Sequence, residues 1–198
     1  KYRPVYSTNE DVGRPDTWTA PQPLVQKTDP AKWIDFWVIC DESTAYLFFT
    51  RNHEAVYMMT TRLERFPEGF SNPTAVFSPV HEAVHVYRVE GREEYHMLYE
   101  MRTEGDIRRF GLAQSAHLAG PWQQVTDRFA TGEQLDFAGS ETRWTAEVSH
   151  GEALRSGVDQ RIEYVPGHAR ILIQGIPLGK HTGAYPSLPW RLGIITKE

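Results

Sequence analysis

The sequence predicts an all-β fold made of repeated small sheets, as in a β-propeller, and three observations lead to this prediction. Helical periodicity is scarce along the 198 residues. Short apolar or alternating runs are separated by turn-forming residues. Groups of three such runs recur along the chain, with long stretches rich in Pro and Gly between the groups.

Several segments are predicted to be strands because they combine β-branched, aromatic and other apolar residues. Turn chemistry occupies the breaks between them, as in "CDEST", "RNHE", "VEGRE" and "RTEGD". The predicted strands are Trp33–Cys40, Ala45–Thr50, Ala55–Thr60, Glu82–Val89, Tyr95–Met101, Arg108–Ser115, Val148–Arg155, Arg161–Val165 and Ile171–Gln174.

These strands fall into a quasi-repeat of three strands joined by two turns. The first copy contains "IDFWVIC", "AYLFFT" and "AVYMMTT", and the second contains "HEAVHVYRV", "EYHMLYEM" and "IRRFGLAQS". A weaker third copy starts near "WTAEVSHGEALRS" and continues through "RIEYV" and "ARILIQG". A period near ~45 residues favours propeller blades. The alternative is a β-sandwich, which would not need each repeat to open with an acid.

An acidic residue lies at the opening of each repeat. Asp35 begins the first, Glu82 begins the second, and Glu147 precedes the third. In a propeller the first strand of each blade lines the central axis, so residues at equivalent positions converge at one mouth of the channel. Burying a carboxylate is costly unless it is paired or used. For any one of these acids taken alone, a solvated strand-end charge is the plain alternative.

Glycoside hydrolases typically use two carboxyl groups in a shared cleft as their catalytic groups. Glu82 suits the role of proton donor, because the apolar residues of "AVHVYRV" would partly desolvate it. A nearby Asp35 would raise the pKa of Glu82 further. Asp35 itself is shorter and next to Phe36 and Trp37, and we expect it to stay ionised and tune the donor.

Bulk properties argue against two classes of partner. The net charge is −5 and no Lys/Arg cluster is present, whereas nucleic-acid binders more often show a basic face. No run approaches the ~20 apolar residues of a membrane span. The single cysteine, Cys40, cannot form an internal disulfide, and we expect it to pack as a small hydrophobic residue.

Six segments resemble glycoside hydrolase family 62 in their order and rough spacing. They are "WIDFWVICDESTAYLFFT", "HEAVHVYRVEGREEYHMLYE", "LAGPW", "WTAEVSHGEALRS", "ILIQG" and "YPSLPWRLGIIT". Members of this family are α-L-arabinofuranosidases that remove arabinose branches from arabinoxylan and arabinan. The resemblance implies a five-bladed β-propeller, an inverting mechanism and a secreted enzyme acting on those polysaccharides.

The resemblance also implies roles for individual residues. Glu82 of "HEAVHVY" would be the general acid, and Asp35 of "WIDFWV" would modulate its pKa and orient the sugar. His150 of "VSHGE" would help to hold a central calcium ion, largely through waters, because Ca²⁺ prefers oxygen ligands. Tyr185 of "AYPSLPW" matches a tyrosine at the substrate cleft. Glu147 is a candidate substrate contact, although the family has "TND" where this chain has "TAEVS".

The resemblance leaves one role unfilled. The family's catalytic base is an aspartate early in its first blade, and no segment here corresponds to it. We therefore expect residues 1–198 to form one partial propeller domain, an incomplete ring that starts within the second blade. Such a chain would hydrolyse little by itself, because an inverting enzyme needs a base to activate water.

Two other classes of function remain open at this stage. One is a non-catalytic carbohydrate-binding module, which would have the same cleft without a base. The other is a protein-interaction propeller, although those usually carry sharper repeat signatures than this chain has.

Overall fold

The computed structural model describes residues 4–26, 29–103, 105–138 and 142–196. Within these ranges the protein is all-β, as predicted, and its regular structure consists of strands and short 3-10 helices. The 3-10 helices are Pro15–Thr17, Leu63–Arg65, Pro166–His168 and Tyr185–Ser187. None of the helices in the described ranges is long and apolar enough to span a bilayer.

The first sheet contains the first predicted repeat and one further strand, in the antiparallel order β3-β4-β5-β6. Its strands are β3 (Trp33–Cys40), β4 (Thr44–Arg51), β5 (Ala55–Arg62) and β6 (Thr74–Phe77). The bounds predicted for β3 are confirmed. The sequence pattern does not reveal β6, because its four residues are half-buried or exposed and lie in a proline-containing stretch. A two-stranded ribbon of β1 (Val5–Tyr6) and β2 (Gln22–Pro23) precedes this sheet.

The second sheet contains the second repeat in the antiparallel order β7-β8-β9-β10. Its strands are β7 (Glu82–Val89), β8 (Tyr95–Arg102), β9 (Arg108–Ser115) and β10 (Gln123–Ala130). The predicted bounds of β7 and β9 are confirmed. The outer strand β10 lacks the apolar pattern of the others because most of its side chains are exposed or half-buried.

The third sheet differs from the prediction. It contains β11 (Ser149–Ala153), β13 (Arg170–Gly175) and β14 (Arg191–Thr196), in that order. The segment "RIEYV" was predicted to be its middle strand, and that prediction is wrong. Its residues form β12 (Glu163–Tyr164), which pairs in parallel with β7 and adds a fifth strand to the second sheet. The pattern of apolar residues identifies a strand but not its partner.

The innermost strands of the three sheets carry the same irregularity near their start. In β3, β7 and β11, two consecutive residues oppose a single residue of the neighbouring strand, which is a β-bulge. The bulged pairs are Asp35–Phe36, Ala83–Val84 and His150–Gly151. Asp35 and Ala83 have positive φ angles of 57° and 53°. The equivalent positions are therefore Asp35, Ala83 and His150. Glu82 was predicted to be equivalent to Asp35 but lies one residue before that position.

The main core is shared by the three sheets and centres on the second sheet. It includes Ile39 and Phe48 from the first sheet, Tyr87 from the second, and Ile171 and Ile173 from the third, all at most 3% exposed. Each such side chain contributes about 1.5–3 kcal/mol on burial. The inner strands are also linked by polar contacts, since Trp37 Nε1 donates to the Val86 carbonyl at 2.8 Å. Cys40 is buried and free, as predicted.

Candidate active site

A cleft of about 1010 Å³ opens where β3, β7 and β11 begin. Four of the side chains predicted to form a site line it: Asp35, Glu82, His150 and Tyr185. The predicted convergence of residues from separate repeats is therefore present in the structure. It arises because the first strands of successive sheets lie side by side around one axis.

Glu82 is buried at the floor of this cleft, with 7% of its surface exposed. Its Oε1 accepts a hydrogen bond from the Arg108 guanidinium, and its Oε2 lies 3.3 Å from His53 Nδ1. Burial raises the pKa of Glu82, the negative charges of Glu100 and Asp35 raise it further, and Arg108 opposes them. A raised pKa favours the protonated form of Glu82, which is the form that a general acid requires.

Glu100 lies behind Glu82 and is fully buried. Arg108 Nη1 donates to Glu100 Oε1 at 2.8 Å, so one guanidinium bridges the two carboxylates. The other oxygen of Glu100 accepts from the Ser149 hydroxyl at 2.7 Å and from the His150 amide at 3.1 Å. Burial alone would raise the pKa of Glu100, but its interactions with His150, Arg108 and Ser149 outweigh burial and lower it. The two glutamates therefore have pKa values displaced in opposite directions.

Asp35 is held by the neighbouring bulge. Its Oδ2 accepts a hydrogen bond from the Ala83 amide at 2.8 Å, and its Oδ1 lies 3.7 Å from His150 Nε2. Burial opposes ionisation, but contact with His150 and the Ala83 hydrogen bond prevail and lower the pKa of Asp35. Asp35 thus contacts both of the other equivalent bulge positions, and it is an ionised carboxylate beside Glu82.

His150 is enclosed between two acids. Burial disfavours its protonation, yet the interactions with Asp35 and Glu100 raise the pKa of His150 to about 10. The imidazole therefore carries a proton and a positive charge at neutral pH. This charge stabilises the ionised forms of Asp35 and Glu100 on either side of it.

The residues around His150 do not fit a directly coordinated calcium ion. Ligand atoms of Glu82, Glu100 and His150 lie within 4.8 Å of one another. Ca²⁺ requires six to eight oxygen ligands. Here Arg108 and Ser149 already bind the Glu100 oxygens, so this carboxylate has little capacity left to coordinate an ion. The calcium ion expected near His150 stays a prediction, and no chemical step below depends on it.

Tyr185 stands at the rim of the cleft with half of its surface exposed. Its ring lies 5.4 Å from the Arg108 guanidinium carbon and packs edge-on against Trp190, with ring centroids 5.8 Å apart. An exposed aromatic ring fixed in this way can offer its face to a ligand. Tyr185 thus lies at the cleft, while its contact with a substrate stays a prediction.

Glu147 does not occupy the position predicted for it. It is only 3% exposed, it precedes β11, and it lines a separate depression together with Asp106 and His181 rather than the cleft. Its Oε1 lies 2.7 Å from His181 Nδ1. The expectation that Glu147 is in register with Asp35 is wrong, because the bulge of β11 places His150 at that position.

Four residues of the site were not predicted from the sequence: Glu100, Arg108, His53 and His81. Arg108 and the two histidines line the cleft, and Glu100 supports it from below. Glu100 lies in the apolar strand "EYHMLYEM", so a charged residue in a buried strand, the signal that identified Asp35, could have identified it as well. The histidines carry no such signal, because His53 lies in a turn and His81 precedes a strand.

The chain is similar to known proteins along nearly its whole length. A model of "Glycosyl hydrolase family 62" matches residues 2–196. Alpha-L-arabinofuranosidase C of Cellvibrio japonicus is 32% identical over 202 residues, covering 96% of this chain and 31% of that protein.

Solved structures give the same result. The catalytic domain of a Coprinopsis cinerea family 62 α-L-arabinofuranosidase is 36% identical with a TM-score of 0.90, covering 97% of this chain and 65% of that chain. A Podospora anserina α-L-arabinofuranosidase in complex with cellotriose is 32% identical with a TM-score of 0.88 and the same coverage. These neighbours are five-bladed β-propellers, which confirms the predicted fold class. The chain spans about two thirds of the solved catalytic domains and less than a third of the curated relative.

Arg108→Met should destabilise the protein strongly, because it leaves Glu82 and Glu100 buried without their shared cation. Breaking a buried ion pair from one side costs about 3–5 kcal/mol. The defect should shrink at acidic pH, where the carboxylates take up protons. Urea unfolding at neutral and acidic pH measures both effects.

Arg128→Met is the matched control, since the Arg128 side chain is half exposed and pairs with Glu133 at 3.5 Å. We expect this variant to lie within about 0.5 kcal/mol of the parent. An Arg108→Met protein as stable as Arg128→Met would show that the bridge does not stabilise the fold.

Proposed function

The chain belongs to glycosyl hydrolase family 62, and from this premise we propose that the protein containing it removes terminal α-L-arabinofuranosyl side chains from arabinoxylan or arabinan. The observation that carries the proposal is the pairing of a buried, protonatable Glu82 with an ionised Asp35 in one cleft. Because the chain covers only part of its relatives, the activity proposed is that of the whole protein.

In the proposed reaction Glu82 is the general acid. It donates its proton to the glycosidic oxygen as the bond between that oxygen and the arabinose anomeric carbon breaks. Arg108 occupies Oε1, which leaves Oε2 to carry the proton. The raised pKa of Glu82 favours the protonated form from which this transfer starts.

Asp35 supports the reaction without transferring a proton. Its fixed negative charge raises the pKa of Glu82 and favours the positive charge that develops on the sugar ring in the transition state. The Ala83 amide and His150 hold the carboxylate in place. A side chain fixed in this way loses little freedom when the sugar binds.

We further propose that the general base of an inverting mechanism lies outside residues 1–198. Among the described residues that line the cleft, Asp35 and Glu82 are the two carboxylates. Glu82 serves as the acid, and Asp35 is already bound to Ala83 and His150, so neither is free to activate a water. About one third of the length of each solved relative lies outside the match to this chain and could supply this group.

The proposed substrate is a branched pentose polysaccharide outside the cell. Relatives have been solved with cellotriose and with xylotriose, which are short sugar chains. Tyr185 offers an exposed ring at the rim of the cleft, where a sugar could stack. A secreted location follows from the size and insolubility of such a polymer.

A non-catalytic carbohydrate-binding module is the second candidate. It is favoured by one observation, namely that no free second carboxylate lines the cleft within the described ranges. In that case the cleft would hold arabinose branches without cleaving them.

Glu82→Gln in the natural polypeptide should reduce arabinose release from arabinoxylan by about a hundredfold or more, since general acids contribute about 10²–10⁴-fold. Reducing-sugar or chromatographic assays measure the release. Glu93→Gln changes an exposed glutamate in the turn after β7 and should keep the parental rate. Parental activity in Glu82→Gln would overturn the assignment.

Residues 1–198 alone should bind arabinoxylan oligosaccharides but release little arabinose, because the proposed base is missing. Calorimetric titration measures binding, and chromatography measures release. Rapid release by this segment would place the base within it. If the natural polypeptide also binds without releasing arabinose, the binding-module function is correct.

Asp35→Asn should shift the alkaline limb of the kcat/KM profile to lower pH. Burial is the main cause of the raised pKa of Glu82, but the charge of Asp35 adds to it, so removing that charge lets Glu82 lose its proton earlier. Asp16→Asn, at an exposed position, should leave the profile unchanged. An unmoved or upward-shifted limb in Asp35→Asn would contradict the proposed role.

A further inference from the structure

Glu147 is a buried carboxylate that the proposed mechanism does not use. It is 3% exposed, and burial raises its pKa. Its Oε1 lies 2.7 Å from His181 Nδ1, whereas its Oε2 is buried without a hydrogen-bond partner among the described residues. A buried carboxylate with one unpaired oxygen lowers stability, so its presence at this position calls for a reason other than stability.

The backbone of Glu147 is fixed by Thr145, whose side chain is fully buried. The Glu147 amide donates to Thr145 Oγ1 at 3.0 Å, and the Thr145 hydroxyl lies 3.2 Å from the Glu147 carbonyl oxygen. Thr145 also pairs with Pro177 in an isolated β-bridge. Glu147 is therefore a fixed point just before β11, at the end of the fold where the cleft opens.

His181 belongs to the loop between β13 and β14, which also carries Tyr185. Residues 178–187 of this loop are all exposed. His181 lies between Gly179 and Gly183, which have φ angles of 72° and 103°. Glycine loses more conformational freedom on ordering than any other residue, so this exposed segment needs a contact with the body of the protein to keep one conformation.

The His181 imidazole supplies such a contact on two sides. Its Nδ1 faces Glu147 Oε1, and its Nε2 lies 3.9 Å from Asp106 Oδ2. Asp106 in turn accepts a hydrogen bond from Arg102, whose side chain lines the cleft. The loop is thereby tied both to the start of β11 and to the turn between β8 and β9.

Tyr185 lies between this contact and a second one further along the loop, where Leu188 is buried with 8% of its surface exposed. The Tyr185 ring itself contacts Arg108 and Trp190 but stays half exposed. These ring contacts orient the ring, and they do not hold the backbone of the exposed segment before it. His181 and Leu188 therefore hold the loop on the two sides of Tyr185.

We propose that Glu147 and His181 position Tyr185 at the rim of the cleft and thereby determine how tightly the cleft binds the polysaccharide. This inference rests on the proposed function, in which a sugar stacks on Tyr185. Glu147 and His181 line the separate depression instead of the cleft, so they act through the loop as positioning residues. A loop that is already ordered loses less entropy when the sugar binds. Loss of the contact should therefore weaken binding and leave bond cleavage unchanged.

The first test compares His181→Ala, Tyr185→Ala and the double variant in the natural polypeptide. With arabinoxylan oligosaccharides, each single variant should raise KM about three- to tenfold, with kcat within about twofold of the parent. The double variant should have the KM of Tyr185→Ala alone, because His181 acts through Tyr185. His168→Ala, which changes an exposed histidine in a 3-10 helix, should behave as the parent.

The second test separates positioning from stability at Glu147. Glu147→Gln keeps a carbonyl oxygen that can accept from His181 Nδ1, so its KM should stay within about twofold of the parent. Glu147→Leu removes the acceptor and should raise KM as His181→Ala does. It should unfold at no lower temperature than the parent, because it also removes a buried unpaired oxygen. Steady-state kinetics and thermal unfolding measure the two effects.

Several results would overturn the inference. They are a parental KM in His181→Ala or Glu147→Leu, a fall in kcat without a rise in KM, and effects of His181→Ala and Tyr185→Ala that multiply in the double variant. If the parent releases no arabinose, the proposed function fails, and calorimetric titration of the same variants still decides the inference through Kd. If the parent neither cleaves nor binds the oligosaccharides, both are wrong.

Discussion

Glu82 and Glu100 are buried side by side, and both depend on the guanidinium of Arg108. A pair of unpaired carboxylates at this depth would carry a large desolvation cost unless they took up protons or reached water. The two glutamates that share Arg108 differ in their other hydrogen-bond donors and in their pKa shifts. Glu100 receives the additional donors from Ser149 and His150 and stays ionised, whereas Glu82 receives fewer and keeps a raised pKa. Glu100 therefore supports the site as an ionised group, while Glu82, held by the same guanidinium, is the proposed reactive group.

The bulges of β3, β7 and β11 explain how three sheets converge on one point. A regular strand would direct alternate side chains to opposite faces, and the extra residue re-aims the side chains next to it. Asp35, Ala83 and His150 occupy the same position in their sheets, and a hydrogen bond and an ion pair join them. The repeat is therefore visible in the backbone at positions where the side chains have diverged to an acid, a methyl group and a base.

The sequence was sufficient for the fold class and for the inner strands, because their apolar runs are long and bounded by turns. It was also sufficient to place Asp35 and Glu82 in one cleft, since charged residues at the start of buried strands stand out. It could not assign Glu147 or "RIEYV" correctly, because bulges and strand partners depend on contacts between distant residues. Arg108 and His53 were not predicted for the same reason. Their neighbours in the sequence give no sign of a role, and only the fold brings each of them beside Glu82.

β12 has a consequence for how such a protein can change over generations. The segment that follows β11 leaves its own sheet, donates a strand to β7, and accepts a hydrogen bond from Cys40 of β3 at the Gln160 carbonyl. The second and third repeats are therefore not independent structural units, because one supplies a strand to the sheet of the other. Recombination between the second and third repeats would separate β12 from β7 and deprive the second sheet of its fifth strand.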